Sequence, residues 1–432
     1  MQPNRHGASG MQSSTLPDQS FRLGAGEFIA MMAMIQALHA LSIDAMLPAL
    51  GVMASDLGTT DPNQRQLVVG VYLIASGFGA LLPGSLADRY GRRPVLFASL
   101  GLYIIFGLGC ALVSDFSTLL ILRALQAVSS AGLIVLPSAI IRDRYEGDKM
   151  ARMLSTVSVV FMIVPILAPA LGQLILLFAG WRWIFGGIAL MAVLVCGWVF
   201  LRLPETLHSE YRQRIEPLVI GANMWTAATE RSSIGYVIGS ALVLGGLFGY
   251  INSAQQLVVE HFGAGQGFPL LFAASAAGLA LASFTNSRIV ERFGARRVSH
   301  AALLAFIGVS AVQVWVAFSP GETLWSFMPL MAANMCLIGF IGANFGSIAL
   351  QPFARIAGAA ASLQAFVRMV IGSTLGALIG QAYDDSARPL AIALLMGGIA
   401  SLGLVLYSEK GHLFRRLLPP GVPRPIPETT VH

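Results

Sequence analysis

The sequence predicts an all-α polytopic membrane protein with twelve transmembrane helices arranged as two six-helix bundles. Three observations carry this prediction. The 432 residues are 56% hydrophobic and only 11% charged, whereas soluble globular proteins carry about 25% charged residues. Apolar runs of about twenty residues, long enough to cross a hydrocarbon core as a helix, recur from end to end. A charged turn between two such runs occurs once in each half of the chain.

The predicted spans follow one another along the whole chain. They begin near Glu27, Gln66, Pro94, Ser117, Leu154, Trp183, Ser233, Phe268, Val298, Leu324, Ala359 and Arg388. Most of the Lys and Arg residues lie in the tails and in the loops on the side of the N-terminal tail. Because basic residues collect on the cytoplasmic side of a membrane, we expect both termini to be cytoplasmic.

Breaks in the apolar pattern divide the chain into five segments. Residues 1–24 are a polar cytoplasmic tail without the short apolar core of a signal peptide. The first six spans occupy residues 25–204, and a charge-rich cytoplasmic linker follows at 205–232. The other six spans occupy residues 233–410, and a basic, Pro-rich cytoplasmic tail follows at 411–432.

Several classes of function are disfavoured by what the sequence contains. Cys110, Cys196 and Cys336 all fall within apolar runs, so they form neither a disulfide framework nor a metal-binding spacing. The basic residues are dispersed through short loops, which argues against nucleic-acid binding. No Gly-rich phosphate loop of the ATPase type is present. We therefore expect no metal, no cofactor and no covalent catalysis, so the chain is not predicted to be an enzyme.

The charged turn provides the first sign of an internal repeat. The stretch Ala87-Asp-Arg-Tyr-Gly-Arg-Arg-Pro-Val95 returns 203 positions later as Val290-Glu-Arg-Phe-Gly-Ala-Arg-Arg-Val298, with the acid, arginine, aromatic residue and glycine in register. A matched turn after the second span of each half indicates a duplicated six-helix unit. Such repeats usually place a binding site between them, near the middle of the membrane.

These residues resemble a known family over roughly residues 25 to 410. The turn from Gly84 to Leu96 resembles the signature between helices two and three of the major facilitator superfamily. Further stretches resemble its bicyclomycin-resistance-like drug and proton antiporters: Ser42–Leu50, Arg123–Gln126, Pro165–Gly172, Trp181–Phe185 and Leu203–Leu207. The resemblance implies a major facilitator fold in a bacterial cytoplasmic (inner) membrane.

The charged turn is also a candidate conformational latch, formed by Gly84, Asp88, Arg89, Gly91 and Arg92. Its glycines permit a tight reversal, and the carboxylate can accept hydrogen bonds from arginines or face a helix N-terminus. A latch is also what the resemblance implies. The alternative is that the arginines only orient the loop, although orientation alone requires neither the acid nor the glycines.

Asp44 and Arg123 are the candidate proton-coupling residues. Asp44 is the acid best placed inside a span, where an ionisable group is costly and usually functional. Arg123 matches the proton-linked arginine motif of the family, and helix counting places both residues in the outer part of the membrane. Access of water to Asp44, or loss of an Asp44–Arg123 ion pair, would change whether Asp44 holds a proton. The alternative is a static salt bridge between helices one and four.

Arg368 is not part of the family pattern. It lies ten positions after Gly358, which is ~15 Å into a hydrocarbon core of ~30 Å. A cation at that depth favours an anionic or zwitterionic substrate. The alternative is a shallower side chain that snorkels toward the cytoplasm.

Polar side chains within the spans are further candidates for substrate binding. Besides Asp44 and Arg368, this set comprises Gln36, Asn252, Gln255, Gln256, Asn334 and Asn344. Amides can hydrogen-bond a substrate in a cavity, but bonds between helices would explain each of them equally well. The family more often has a Ser-Pro-Phe stretch in span seven, so substrates of the subfamily are not transferred. His39 is expected to contact a neighbouring helix.

Pro165, Pro169 and Gly172 are candidate hinge residues in span five. Prolines remove backbone donors and glycine allows close packing, so this span can bend and pivot against its counterpart in the other half. A kink that serves packing alone is the alternative.

The leading functional prediction is a proton-coupled secondary active transporter that exports a small organic molecule by alternating access. The substrate would be a drug-like compound or metabolite, either anionic or zwitterionic. The alternatives are a proton-linked importer of an organic anion or metal-chelating metabolite, and a transporter-like membrane sensor. The expected partners are a small-molecule substrate, protons and the lipid bilayer, with a monomeric chain.

Overall fold

The computed structural model describes residues 23–59, 61–145, 147–207, 210, 217–353 and 356–415. Within these ranges the regular structure is helical and no strand occurs. The predicted all-α class is therefore confirmed. The first 22 residues and the tail after residue 415 lie outside the described ranges, as do parts of the predicted linker.

The N-terminal half contains six long helices, which we number with the spans. They are α1 (Ala25–Asp44), α2 (Leu67–Gly79), α3 (Arg92–Leu112), α4 (Phe116–Arg144), α5 (Gly147–Phe178) and α6 (Arg182–Arg202). α1 ends at Asp44 and resumes as the short helix Leu50–Asp56. α2 is followed by the short helix Pro83–Tyr90, which carries the charged turn.

The C-terminal half repeats this order. Its helices are α7 (Arg231–Gln255), α8 (Phe268–Phe293), α9 (Ala295–Ala317), α10 (Leu324–Leu350), α11 (Ala357–Gln381) and α12 (Arg388–Ser408). The described part of the predicted linker at 205–232 contains one further helix, Pro217–Thr229, which packs against α11. The domain boundaries otherwise remain predictions.

The helices have the length and apolarity of membrane spans. Among the described residues, eleven are long and apolar enough to cross a membrane, and the twelfth span is the pair Asn63–Gly79 and Pro83–Tyr90, bent by 42°. Large apolar side chains point outward, such as Leu112 and Phe178, which are each 84% exposed. A soluble protein rarely exposes extended apolar surface of this kind, so the surface supports the predicted membrane location.

Local sequence explains where the helices begin and turn. The carboxyl of Asp115 accepts a hydrogen bond from the Thr118 amide at 2.8 Å and so caps α4. Gly91 lies between the short helix Pro83–Tyr90 and α3 and has a φ value of 104°. Gly294 lies between α8 and α9 and has a φ value of 86°. Only glycine adopts such angles without strain, which explains why glycine recurs at the matched turns.

The two halves meet mainly along two helix pairs, α2 with α11 and α5 with α8. Small residues allow the close approach of α2 and α11. The α-carbon of Gly70 faces Ala377, and that of Gly77 faces Met369 and Val370. This seam leaves a cavity between the halves.

Candidate functional site

The central cavity has a volume of about 480 Å³ and lies between the two halves. It is lined mostly by apolar side chains, with a few polar groups from both halves: Gln36, His39, Asp44, Ser158, Tyr250 and Ser275. Cavities of this size, apolar with a few polar groups, are typical of sites for small organic ligands. The structure thus brings Gln36 and Asp44 from the predicted set to one cavity.

Asp44 lies at the point where the first span breaks. It is the last residue of α1. Ala45 and Met46 form a turn, and a short 3₁₀-helix, Leu47–Ala49, follows. Pro48 in that turn lacks a backbone donor, which disfavours an uninterrupted α-helix there. The Asp44 side chain is buried from bulk solvent and lines the cavity. It has no hydrogen bond or ion pair among the described residues.

Arg123 is wholly buried and is held by neutral groups. Its guanidinium donates to the carbonyl oxygens of Ser42 at 2.9 Å and Val68 at 3.2 Å, and to Oε1 of Gln126 at 2.8 Å. It also lies over the Tyr72 ring at 4.1 Å, a cation–π contact. The arginine therefore ties α1, α2 and α4 together. Asp44 and Arg123 form no salt bridge in the described part of the chain, which argues against the alternative of a static bridge between helices one and four.

His39 connects the cavity to this arginine cluster. Its Nδ1 lies 2.9 Å from Oγ of Ser130 on α4 and 3.3 Å from the hydroxyl of Tyr72. The expected contact of His39 with neighbouring helices is confirmed, and the residue also lines the cavity. Tyr72 could not be predicted as part of this cluster, because an isolated tyrosine in an apolar span carries no distinguishing signal.

Two predicted substrate amides are bonded to other helices instead of lining the cavity. Asn334 on α10 donates to Oε1 of Gln313 on α9 at 2.6 Å. Asn344 on α10 donates to Oδ1 of Asn286 on α8 at 2.7 Å. Both asparagines are buried. These placements favour the alternative of helix-to-helix bonding, and a role in substrate binding remains an untested prediction.

The remaining predicted amides lie between the halves, at the end of the molecule opposite the charged turns. We call this end the gate face and the end with Gly91 and Gly294 the turn face. Gln256 accepts from Gln66 and donates to Oδ1 of Asn63 at 2.9 Å. Gln255 donates to Glu260 at 3.3 Å. Asn252 has a buried Oδ1 without a partner. None of the three lines the central cavity.

An ion pair strengthens this junction. Arg65 of the N-terminal half and Glu260 of the C-terminal half are 2.6 Å apart. Asn63 also donates to the carbonyl oxygens of Gln381 at 3.2 Å and Tyr383 at 2.9 Å. Hydrogen bonds between the two halves, as far as the described residues show them, all lie at the gate face. The structure is therefore held closed at this face, and we call these residues the gate cluster.

Glu260→Gln is expected to loosen the gate. Because the pair is partly exposed, its loss should raise the population open at the gate face only about two- to fivefold. The readout is the rate at which a membrane-impermeant maleimide labels Ile251→Cys, a cavity-lining position, from the side of the membrane that the gate face meets. The three native cysteines are first replaced by alanine.

Glu322→Gln is the matched control for that experiment. Glu322 faces His261 at 3.4 Å, but both residues belong to the C-terminal half. The same change of charge there should leave the labelling rate unchanged. Equal rates in the two variants would contradict a gating role for Glu260.

The predicted latch forms a charge cluster within the N-terminal half. Arg92 pairs with Asp88 at 2.6 Å and with Asp143, at the end of α4, at 2.8 Å. The carboxylate of Glu205 accepts from the backbone amides of Arg92 at 2.9 Å and Arg93 at 3.1 Å. An acid there satisfies free donors at the N-terminus of α3. Neither Asp143 nor Glu205 was predicted to take part, although Glu205 lies in the stretch Leu203–Leu207 that resembles the family.

The other latch residues take different positions. Arg89 is exposed and lies over the Tyr90 ring at 5.2 Å. Gly84 has open space where a side chain would lie, so the close helix approach expected there is not found in this conformation. Gly91 does make the predicted tight reversal. A latch that changes with conformation remains a prediction.

The second turn is held by a similar cluster in the C-terminal half. Arg296 donates to Glu409 at 2.7 Å and to Gln351 at 2.8 Å, and the Tyr236 hydroxyl donates to Glu409 at 2.6 Å. Burial raises the pKa of the Glu409 carboxyl, but the hydrogen bonds from Tyr236 and Arg296 outweigh burial, so its pKa lies below the ordinary value. In each half, a carboxylate just after the last helix thus accepts hydrogen bonds from the N-terminal end of the third helix of that half.

The predicted hinge lies against the break in the first span. Pro165 lines the central cavity, and Pro169 is buried in α5. Gly172 packs directly against the carbonyl group of Ala45, next to Asp44. The hinge role itself remains a prediction, but its residues contact the segment that positions Asp44.

Arg368 lies apart from Asp44, in a smaller chamber of the C-terminal half. The chamber has a volume of about 200 Å³ and is lined by α7, α8, α10 and α11. Arg368 is near the middle of α11, eleven residues after Ala357 and thirteen before Gln381. Its Nε atom is buried without a partner.

Comparisons with known proteins agree with this architecture. Residues 32–377 match the family model of the Major Facilitator Superfamily. The chain is 27% identical over 385 residues to the bicyclomycin resistance protein homolog of Haemophilus influenzae, covering 88% of this chain and 95% of the relative. It is 29% identical over 374 residues to the multidrug resistance protein MdtL of Klebsiella pneumoniae, covering 85% and 92%.

A solved structure extends the likeness to the fold. The xylose transporter XylE from E. coli, in a partially occluded inward-open conformation, superposes with a TM-score of 0.68 at 14% identity, covering 88% of this chain and 96% of that chain. The order and packing of the helices are thus those of a known fold.

Proposed function

Because the chain belongs to the Major Facilitator Superfamily, and is a membrane transporter rather than an enzyme, we propose that it exports small organic molecules in exchange for protons. The central cavity binds the substrate, and Asp44 carries the proton. The two relatives named above are a resistance protein homolog and a multidrug resistance protein, which supports export of drug-like compounds.

The single observation that carries the proposal is the setting of Asp44. Its carboxyl lines a largely apolar cavity and has no cationic partner among the described residues. A charged carboxylate within a membrane protein is costly without compensation. Proton binding at Asp44 therefore depends on which side of the membrane gives the cavity access to water.

In alternating access the cavity opens to one side of the membrane at a time, so proton binding at Asp44 depends on the conformation. The gate cluster closes the cavity at one face in this conformation, and we take the turn face as cytoplasmic because basic residues are concentrated there. A substrate then enters from the cytoplasm. When the gate opens, a proton from outside reaches Asp44 and the substrate leaves.

A second candidate function is proton-linked import of an organic anion on the same scaffold. The unpartnered Arg368 favours it, since a cation near the middle of a span attracts an anion. The two functions differ in the direction of net transport, so the same vesicle assay separates them.

The proposal is tested in everted membrane vesicles that have been acidified inside by respiration. Chloramphenicol, ethidium or 1-anilinonaphthalene-8-sulfonate is added, and the pH gradient is followed with a quenched acridine dye. We expect at least one compound to accumulate and to collapse part of the gradient only when the protein is present.

Two results would refute proton-coupled export. One is accumulation that persists after nigericin has removed the pH gradient. The other is the absence of any proton movement with all three compounds. Proton exit that accompanies loss of compound from preloaded vesicles, with both leaving the lumen together, would instead support import.

A further inference from the structure

Arg368 differs from the other arginines that the structure holds inside the protein. Arg65, Arg92 and Arg296 each contact a carboxylate, and Arg123 has three hydrogen-bond acceptors. Arg368 makes no hydrogen bond or ion pair with any described residue, and its Nε is buried. The side chain is half-buried, and a charge held largely away from water without a partner is costly, so contacts within the protein do not account for this arginine.

The chamber around Arg368 leaves room for a ligand group. On the side of α10, Gly342 lines the chamber, and added β-carbons at Gly342 and Gly346 would each lie 3.8 Å from a guanidinium nitrogen of Arg368. Ser240 and Ser283 also lie near the arginine, but their hydroxyls donate to the carbonyl oxygens of Val237 and Leu279. The guanidinium is therefore the free donor of the chamber, as far as the described residues show.

The chamber adjoins the central cavity. Leu247 and Leu279 line both spaces, and Met369, the residue after Arg368, lines the central cavity. The chamber lies on the turn-face side of the cavity, since Ser240 is nine residues from the turn-face end of α7 whereas Tyr250 is near its other end. A ligand with an apolar body and a charged end could therefore occupy both spaces.

We propose that the chamber is an anion subsite that takes the carboxylate or sulfonate of an amphiphilic organic anion. The apolar body of the ligand lies in the central cavity, and the guanidinium of Arg368 binds the acid group through two parallel hydrogen bonds. This inference rests on the proposed transport function and names its substrate class. Because Asp44 lines the central cavity and not the chamber, the anion and the transported proton occupy separate sites.

A matched pair of dyes tests the subsite. 1-Anilinonaphthalene-8-sulfonate and N-phenyl-1-naphthylamine share the same aromatic body, and only the first carries a sulfonate. Their binding to the purified protein in lipid nanodiscs is measured by fluorescence, with empty nanodiscs subtracted. No proton gradient is present, so failure of proton coupling cannot produce or mask the result.

We expect Arg368→Gln to weaken binding of the sulfonate at least about tenfold, which corresponds to loss of a charge-assisted hydrogen bond. Binding of the neutral amine should be unchanged, which also shows that the variant is folded. Arg368→Lys, which keeps the charge, should retain most of the affinity for the sulfonate. Arg231→Gln removes an exposed arginine of the same half and should affect neither dye.

Three outcomes would overturn the subsite. These are equal losses for both dyes in Arg368→Gln, unchanged sulfonate binding in that variant, and no sulfonate binding by the parent protein. If one of these outcomes is found while neutral compounds are still exported in exchange for protons, the proposed function stands and only the anion subsite is wrong.

Discussion

Replacement of Asp44 with asparagine is expected to abolish proton-driven transport while leaving the protein folded. The amide has nearly the shape of the carboxylic acid but cannot exchange a proton. Asp44 makes no ion pair that the substitution would break, so no partner is left buried and uncompensated. Substrate binding and exchange across the membrane without a gradient should therefore survive.

The measurement compares two transport modes in vesicles. Gradient-driven accumulation should fall to the level of vesicles that lack the protein, while exchange of internal for external substrate continues. Glu27→Gln is the matched control, because Glu27 is the other acid of α1 and is engaged by Arg202 at 2.8 Å. That variant should keep gradient-driven transport. Normal accumulation by Asp44→Asn would remove the basis of the proposed proton site.

Replacement of Gly172 with alanine is expected to impair both stability and transport. A β-carbon at this position would overlap the carbonyl oxygen of Ala45 and approach Pro48. Backbone cannot move aside as a flexible side chain can, so α5 and the break in the first span must separate. Overpacking of this kind costs typically about 1–3 kcal/mol. The displaced segment is the one that positions Asp44, so proton-driven transport should fall as well.

The stability change is measured by heating the purified protein with a thiol-reactive fluorophore after Cys196 and Cys336, which are partly exposed, have been replaced by alanine. Cys110 is wholly buried and is expected to react only on unfolding. The midpoint for Gly172→Ala should be several degrees lower than that of the parent protein. Gly197→Ala in α6 is the control, because open space surrounds the added methyl group. Equal midpoints for the two variants would contradict close packing of α5 on the first span.

The charged turns show how much a local pattern can predict. Glycine, acid and arginine at fixed spacing required a tight reversal after the second span of each half, and Gly91 and Gly294 have the positive φ values that such a reversal needs. The same pattern could not identify Asp143 and Glu205 as partners of Arg92, because these acids lie far along the chain. Contacts between distant residues depend on how the helices pack.

The polar residues of the spans show the corresponding limit. Depth in a span correctly indicated that Asp44, Asn334 and Gln256 are buried, but it did not distinguish their surroundings. Asp44 lines the cavity, Asn334 bonds to a neighbouring helix, and Gln256 joins the two halves at the gate face. Which side of a helix faces a cavity depends on the rotation of that helix within the bundle, which hydrophobicity alone does not set when nearly every side is apolar.

The sequence by itself determined the number of spans, the duplicated plan and the places where the chain must turn. These features follow from local requirements, namely runs long enough to cross a bilayer and glycines where φ is positive. Only the tertiary structure decided that Asp44 is without a salt bridge, that Arg368 lies in its own chamber, and that the gate face is closed. Each of those facts depends on the relative placement of helices from different parts of the chain, since a charge is paired or unpaired only with respect to what packs beside it.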